Sequence, residues 1–348
     1  MKASYASYLL DFKRPSGTSR GVLHQKETFF LKLEEGDKVG YGECGLFRGL
    51  SADDRTDYES RLQWVCEHIH LGLEALWEAN RAYPSIQFGL EQAFLSLARE
   101  SPFVLFPSAF VNGEAGIPIN GLVWMGDIAF MEKQIAEKIE AGFSCIKLKI
   151  GVDFEKELDL LAKVRRSFSK SDIELRVDAN GAFTPDLAMD NLKRLAELDL
   201  HSIEQPIKQG QWDAMAHLCA ETPLPIALDE ELIGIGDVTE KQKLLQTIQP
   251  HYIILKPSLI GGFKGSTEWI QGAEKLGIGW WVTSALESNV GLNAIAQWTF
   301  GLHNPMPQGL GTGALFTNNI QAPLAVEKGK LWYTDLMWNR KILDNLCL

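Results

Sequence analysis

Cys145-Ile146-Lys147-Leu148-Lys149-Ile150 is one of eight short apolar runs in this chain, at 117–123, 145–150, 173–178, 201–204, 225–229, 252–256, 279–283 and 309–311. Amphipathic segments lie between them, at 127–141, 153–169, 185–199, 211–220, 237–246, 264–276 and 287–302. Asp127 and Asp153 stand where N-caps belong and Pro185 stands in a first turn. Strand-length runs alternating with helical ones predict an α/β fold with a parallel sheet, and eight such runs predict a (β/α)8-type barrel. A doubly wound open sheet is the competitor, but no G-x-G-x-x-G or G-x-x-x-x-G-K-[ST] loop supports a dinucleotide or P-loop reading.

The chain on either side reads differently. Residues 4–10, 28–33 and 39–43 look like strands, the last two joined by Glu34-Glu35-Gly36-Asp37. Helical stretches follow at about 53–79 and 87–99, so residues 1–115 read as an α+β module. Ser101 to Gly116, with Pro102, Pro107 and Gly113, is the natural boundary before a barrel at 116–315. Residues 316–348 carry Leu331-Trp332-Tyr333 and Trp338; they are too apolar for a free tail and should pack back on the first module.

Bulk properties narrow the function. The chain has 348 residues, 45% of them hydrophobic, enough for a sizeable core. Its net charge of −11 argues against nucleic acid or an anionic membrane as partner. No apolar stretch approaches the roughly 20 residues that span a bilayer, and Met1 to Phe12 does not read as a signal peptide. Five cysteines, at 44, 66, 145, 219 and 347, form no C-x-x-C pair, which favours a reduced, cytoplasmic compartment. Oligomeric state is left open, a homo-oligomer included.

Chemistry gathers where the predicted barrel strands end. Lys147 and Lys149 share a face by the period of two. The following runs end in Arg176-Val177-Asp178, Ile203-Glu204, Leu228-Asp229 and Leu255-Lys256. From Lys149 the successive intervals are 29, 26, 25 and 27 residues, each one βα unit, so the five residues belong at one C-terminal rim, where barrel active sites are built. Three converging carboxylates cannot all stay ionised unpaired; a divalent cation with oxygen preference, Mg²⁺ with Mn²⁺ as substitute, resolves the repulsion at Asp178, Glu204 and Asp229. With no His or Cys in the set, zinc is disfavoured. Mg²⁺ facing two lysines suits abstraction of a proton next to a substrate carboxylate and stabilisation of the resulting enediolate. The base lysine must be neutral to act, a form favoured by nearby cations and a dry pocket. Counting Lys147, Lys149, Lys256 and Arg176, the pocket should be net positive and take a small anionic carboxylate. A Schiff-base lysine at 149 or 256 would leave the carboxylates without a task. Each acid taken singly would more often be a helix cap or a surface group. The seven histidines show no metal-ligand spacing.

These residues closely resemble the enolase superfamily, and within it the muconate-cycloisomerase-like subgroup, with its K-x-K on the second barrel strand and a lone Lys on the sixth. The resemblance spans nearly the whole chain and implies an enolase-like barrel under an N-terminal α+β capping domain. It implies Asp178, Glu204 and Asp229 as metal ligands, Lys149 as general base, Lys256 opposite it and Lys147 beside the base. It also implies that Asn180 orients rather than ligates. Thr283 to Gly291, the Gly311-Thr312-Gly313 after it and Arg176 resemble the o-succinylbenzoate synthases of that subgroup. That resemblance implies dehydration of a dianionic hydroxycyclohexadiene carboxylate. Ser284 is a candidate hydroxyl donor to a substrate carboxylate, and Glu287 reads as a supporting or helix-start residue rather than a participant. Gly309 to Gly313 lacks the Asp-x-Asp typical of dipeptide epimerases. Pro15 to Arg20 and Phe47-Arg48-Gly49-Leu50-Ser51 are expected as loops closing the pocket. Two alternatives stay open: an N-acylamino-acid racemase or other epimerase or cycloisomerase of the same subgroup, and a non-catalytic barrel, which would be expected to have lost a ligand or a base.

Overall fold

The structure, a computed structural model, describes residues 1–18 and 21–346. β1 (Lys2–Thr18), β2 (Gly21–Glu35) and β3 (Lys38–Cys44) form an antiparallel sheet in that order. β1 and β2 pair as one long hairpin from Lys2↔Glu34 to Thr18↔Gly21, with a register break between Asp11 and Ser16. These strands outrun the expected 4–10 and 28–33 because backbone pairing carries the hairpin past its apolar alternation. Pro15 to Thr18 therefore belong to a strand and not to a loop, while Ser19 and Arg20 lie outside the described residues.

Helices α1 (Tyr58–Glu67), α2 (Gly72–Ala79) and α3 (Pro84–Leu97) cover one face of this sheet. The single helix expected over 53–79 is interrupted before Gly72, whose φ of +79° cannot continue a right-handed helix. Alternation along β2 sorts the core by face. Phe29, Leu31 and Leu33 pack with Leu62, Leu76 and Leu90, whereas Phe30 joins Tyr41, Phe103, Ile320 and Leu343 on the other side. α3 lies directly on β3: a Cβ at Gly42 would stand 2.0 Å from the Gly89 carbonyl oxygen, so only glycine permits this approach.

After β4 (Ile117–Pro118) comes the repeating part: β5 (Gly121–Val123), α4 (Ile128–Glu140), β6 (Cys145–Lys149), α5 (Phe154–Ser167), β7 (Glu174–Asp178), α6 (Pro185–Ala196), β8 (Ser202–Glu204), α7 (Trp212–Glu221), β9 (Ile226–Leu228), α8 (Val238–Ile248), β10 (Tyr252–Leu255), α9 (Gly262–Lys275), β11 (Gly279–Val282) and α10 (Asn289–Gly301). β5 to β11 form one seven-stranded parallel sheet in chain order. Asp127 and Asp153 do accept backbone N–H groups of α4 and α5 as N-caps. The eighth run contributes isolated bridges, Thr283↔Gly309 and Ile119↔Gln308, through which the two edges of the sheet are joined. The run at 117–123 is likewise divided: β4 pairs antiparallel with β13 (Lys330–Tyr333) of the β12 (Leu324–Glu327)–β13 hairpin.

The C-terminal stretch touches the N-terminal sheet at two places. Leu315 and Thr317 exchange backbone hydrogen bonds with Lys13 and Asp11 at 2.8 and 2.9 Å. Trp338 stacks on Phe103 at 4.0 Å, and Leu343 of α11 (Lys341–Leu346) packs beside Phe30. Among the described residues no helix is long and apolar enough to cross a membrane.

Glu91 of α3 joins the two halves of the molecule. Its carboxylate accepts the backbone N–H groups of Phe263 and Lys264, at 2.5 and 3.0 Å, in the first turn of α9. Burial pushes its pKa up to about 7, against the pull of those two donors. A carboxyl raised on folding binds a proton that the unfolded chain has already released. Its contribution to stability is therefore complete below the ordinary Glu range and is lost as pH rises toward about 7. Glu91→Gln should flatten the fall of unfolding free energy between pH 5 and 7, by a slope of up to about 1.4 kcal/mol per pH unit, measured by urea denaturation at each pH.

Candidate active site

Strand register builds the site. Lys149 pairs with Asp178 and Asp178 with Glu204, which sets these three residues in one row across β6, β7 and β8. Asp229 follows β9 directly and Lys256 follows β10. All five stand at the C-terminal ends of consecutive strands, as their spacing predicts, and Asp178, Glu204 and Asp229 are buried.

A cavity open to solvent lies over this rim. Lys147, Lys149, Asp178, Asn180, Lys256 and Ser284 line its polar side; Phe47, Leu50, Trp124, Leu286 and Leu315 line its apolar side. A concave, largely apolar lining with a few convergent polar groups suits a small organic ligand. Of the expected closing segment at 47–51, Phe47 and Leu50 reach the cavity. Arg48 turns outward and pairs with Glu27 and Asp54 at 2.6 and 2.8 Å. Trp124, Leu286 and Leu315 escaped the sequence analysis because an apolar residue after a strand reads the same whether it faces a core or a cavity.

Ammonium groups interleave the carboxylates. Lys147 bonds Glu204 and stands 3.0 Å from Asp178 Oδ2. Lys149 Nζ donates to Asp178 Oδ2 at 3.0 Å and to Asn180 Oδ1 at 2.9 Å. Lys256 bonds Asp229. Burial opposes the charged form of Lys147, but Asp178 and Glu204 beside it prevail and hold its pKa above the ordinary lysine range. Lys256 is raised in the same way, burial being outweighed by Asp229 and Glu204. Asp178 is held low despite burial because three lysines surround it, whereas burial and the neighbouring Asp178 push Glu204 well up.

Among the described residues no three acidic, His or Cys groups are gathered around one point as a metal site, because the lysines stand among the carboxylates. The donor set nevertheless fits a hard divalent cation. Asp178, Glu204 and Asp229 are buried oxygen donors at the ends of adjoining strands, and Glu204 Oε1 has no hydrogen-bond partner among the described residues.

Two residues depart from or extend the sequence reading. Arg176 does not reach the cavity. It points along the same face as Asp178 but two residues lower, where it bonds Glu174 and the Pro307 carbonyl at 2.7 and 3.0 Å and lies over the Trp281 ring. Its charge is answered by Glu174, so it adds nothing to the positive count of the pocket. Glu230 was missed; Asn180 Nδ2 donates to it at 3.1 Å, and its charge helps to raise Lys256. The acidic run Asp229-Glu230-Glu231 was the signal available for it. Ser284 lines the cavity with its hydroxyl 2.7 Å from that of Thr312, and Glu287 is fully buried behind this wall.

Known proteins share this architecture. A family model described as enolase C-terminal domain-like matches residues 131–336. The o-succinylbenzoate synthase of Desulfotalea psychrophila is 47% identical over 95% of this chain and 98% of its own. The crystal structure of MenC from the same organism superposes with a TM-score of 0.86 at 44% identity, covering 95% of this chain and 99% of that one. A dipeptide epimerase from Enterococcus faecalis, solved with Mg and the dipeptide L-Leu-L-Tyr, shares the fold at a TM-score of 0.84 and 18% identity, each chain covered to 97%. The chain belongs to the enolase C-terminal domain-like family and, within it, to the group of the o-succinylbenzoate synthases.

Proposed function

We propose that this chain is an o-succinylbenzoate synthase, a carbon–oxygen lyase of menaquinone biosynthesis. It would dehydrate 2-succinyl-6-hydroxy-2,4-cyclohexadiene-1-carboxylate to 2-succinylbenzoate in the cytoplasm. The observation that carries this reading is one cavity with Lys149 on one wall, Lys256 on another and three buried carboxylates on the strands between them. Residues 1–115 act as the cap, 116–315 as a (β/α)8-type barrel and 316–348 as the segment returning to the cap.

Asp178, Glu204 and Asp229 would hold Mg²⁺, which when bound supplies Lewis-acid polarisation of the substrate carboxylate. Lys149, oriented by Asn180, removes the proton α to that carboxylate. Lys256, held in its charged form, faces the negative charge that develops there. The ammonium formed on Lys149 then protonates the departing hydroxide on the same face, which makes the elimination syn. Ser284 donates to a substrate carboxylate, and Lys147 raises the positive potential beside it. Phe47, Leu50, Trp124 and Leu286 exclude water from the ring. Loss of water leaves an aromatic ring, so the overall step is strongly downhill.

The test follows the ultraviolet absorbance of the hydroxycyclohexadiene substrate with Mg²⁺ and with chelator. Rapid loss of the diene signal with Mg²⁺, abolished by chelator, is expected. A folded, Mg²⁺-supplied protein that leaves the diene intact refutes the assignment. Deuterium uptake at the α-carbon of N-succinylamino acids, measured in parallel, reads whether the same lysine pair also racemises.

A further inference from the structure

The cavity wall at Ser284–Leu286 is held from behind by charged groups that the proposed chemistry does not use. Leu286 lines the cavity with φ +63°, a left-handed conformation that a leucine rarely adopts. Glu287 follows it and is fully buried. Its Oε2 accepts the Ala285 N–H at 2.7 Å and its Oε1 accepts the Ser258 hydroxyl at 2.5 Å. Ser258 lies two residues after Lys256. One carboxylate thus ties the loop carrying Ser284 to the loop carrying Lys256.

The N-terminal sheet supports this tie. Glu43 of β3, also fully buried, accepts the Ser288 N–H and the Thr28 hydroxyl through Oε1, both at 2.8 Å. Its Oε2 accepts the Ser288 hydroxyl at 2.5 Å and the Gly291 N–H at 2.8 Å. A residue of the N-terminal sheet therefore caps α10, the helix that starts where the cavity wall ends. Lys26 of β2 is 5% exposed, its ammonium makes no hydrogen bond among the described residues, and Glu43 and Glu287 are the counter-charges acting on it. The packing leaves no slack: a Cβ at Gly291 would stand 2.8 Å from Glu287 Cβ and 2.9 Å from Glu43 Oε2.

Burying two carboxylates and an ammonium is costly, and an apolar seam would join sheet to barrel as well. What an apolar seam cannot do is fix the backbone N–H of Ala285 and a left-handed Leu286. We propose that Glu287, backed by Glu43 and Lys26, is a positioning residue that sets the Ser284–Leu286 wall against Lys256 and so determines how the substrate ring and carboxylate sit. The inference rests on the functional reading above.

Glu287→Ala, Glu287→Gln and Glu43→Gln would be measured for kcat and KM with Mg²⁺, and for amide exchange over residues 279–292. For Glu287→Ala we expect KM to rise on the order of 10- to 100-fold, with loss of protection at Ala285, Leu286 and Ser288. Glu287→Gln, which keeps an acceptor and the side-chain volume, should fall between it and wild type. It carries the same readings if the alanine variant does not fold. A wall held only for stability would lower the folded fraction and leave KM unchanged. Unchanged KM beside an active wild type, or unchanged Ala285 exchange, overturns the proposal. Exchange needs no substrate, so an inactive wild type counts against the functional reading alone.

Discussion

Lys149→Ala is expected to lower kcat by roughly 10²–10⁴-fold while leaving KM close to the wild-type value, the range general-base removal produces. The variant should fold, because Asp178, which loses one ammonium, keeps Lys147 at 3.0 Å. A loss of activity alone would not separate a base from an electrostatic partner, since Lys256→Ala also removes a cation from the cavity. Arginine separates them. Its guanidinium keeps the charge and does not give up a proton at any working pH, so it can replace a charge but not a base. Lys256→Arg should therefore recover part of the activity lost in Lys256→Ala, whereas Lys149→Arg should be as inactive as Lys149→Ala. Recovery by Lys149→Arg would assign the proton transfer to another group. The surroundings agree with this division of labour: Asp229 and Glu204 hold Lys256 charged against burial, as an electrostatic partner must be.

How much of this was legible in the sequence depends on distance along the chain. The lysines and carboxylates recur once per βα unit, and β6 to β10 place them where the spacing predicts because each unit repeats the same geometry. Arg176 shows the limit of that reasoning. A period of two gives the face of a strand but not the layer, and Arg176 shares Asp178's face while lying below the cavity floor. The eighth run shows another limit, since Gln308 and Gly309 bridge the sheet edges with too few residues to carry any alternation. β4 was read into the parallel sheet because an apolar run does not disclose its partner, and that partner, β13, lies more than two hundred residues away. Glu43 and Lys26 were invisible for the same reason. An acid and a lysine in an edge-to-core hairpin look like solvated residues until the loop at 285–291 is packed over them.

Glu204→Gln should abolish the stabilisation of the protein by Mg²⁺ without weakening the metal-free fold. In wild type, an ion that binds only the folded chain at a hundred times its dissociation constant adds about 2.7 kcal/mol. For a chain of this length that corresponds to a rise in melting temperature of roughly 3–5 °C. Glu204 is the informative ligand to change because its buried Oε1 has no hydrogen-bond partner among the described residues, and because burial and Asp178 make its ionised form unfavourable in the absence of a cation. Replacing it by the neutral isostere removes that repulsion. Lys147 keeps Asp178, which it shares with Lys149, and the glutamine retains an amide oxygen that can accept from it. The metal-free melting temperature of Glu204→Gln should thus equal or exceed that of wild type, while added Mg²⁺ leaves it unmoved. Activity should fall by about 10³-fold or more, because the cation is asked for several kcal/mol of charge stabilisation and each 1.4 kcal/mol is tenfold in rate. The combination matters: a variant that melts lower without metal has lost a structural partner, and one that still rises with Mg²⁺ binds the ion elsewhere. The second result would remove Glu204 from the ligand set; the first would show that its pairing with Lys147 outweighs the repulsion removed.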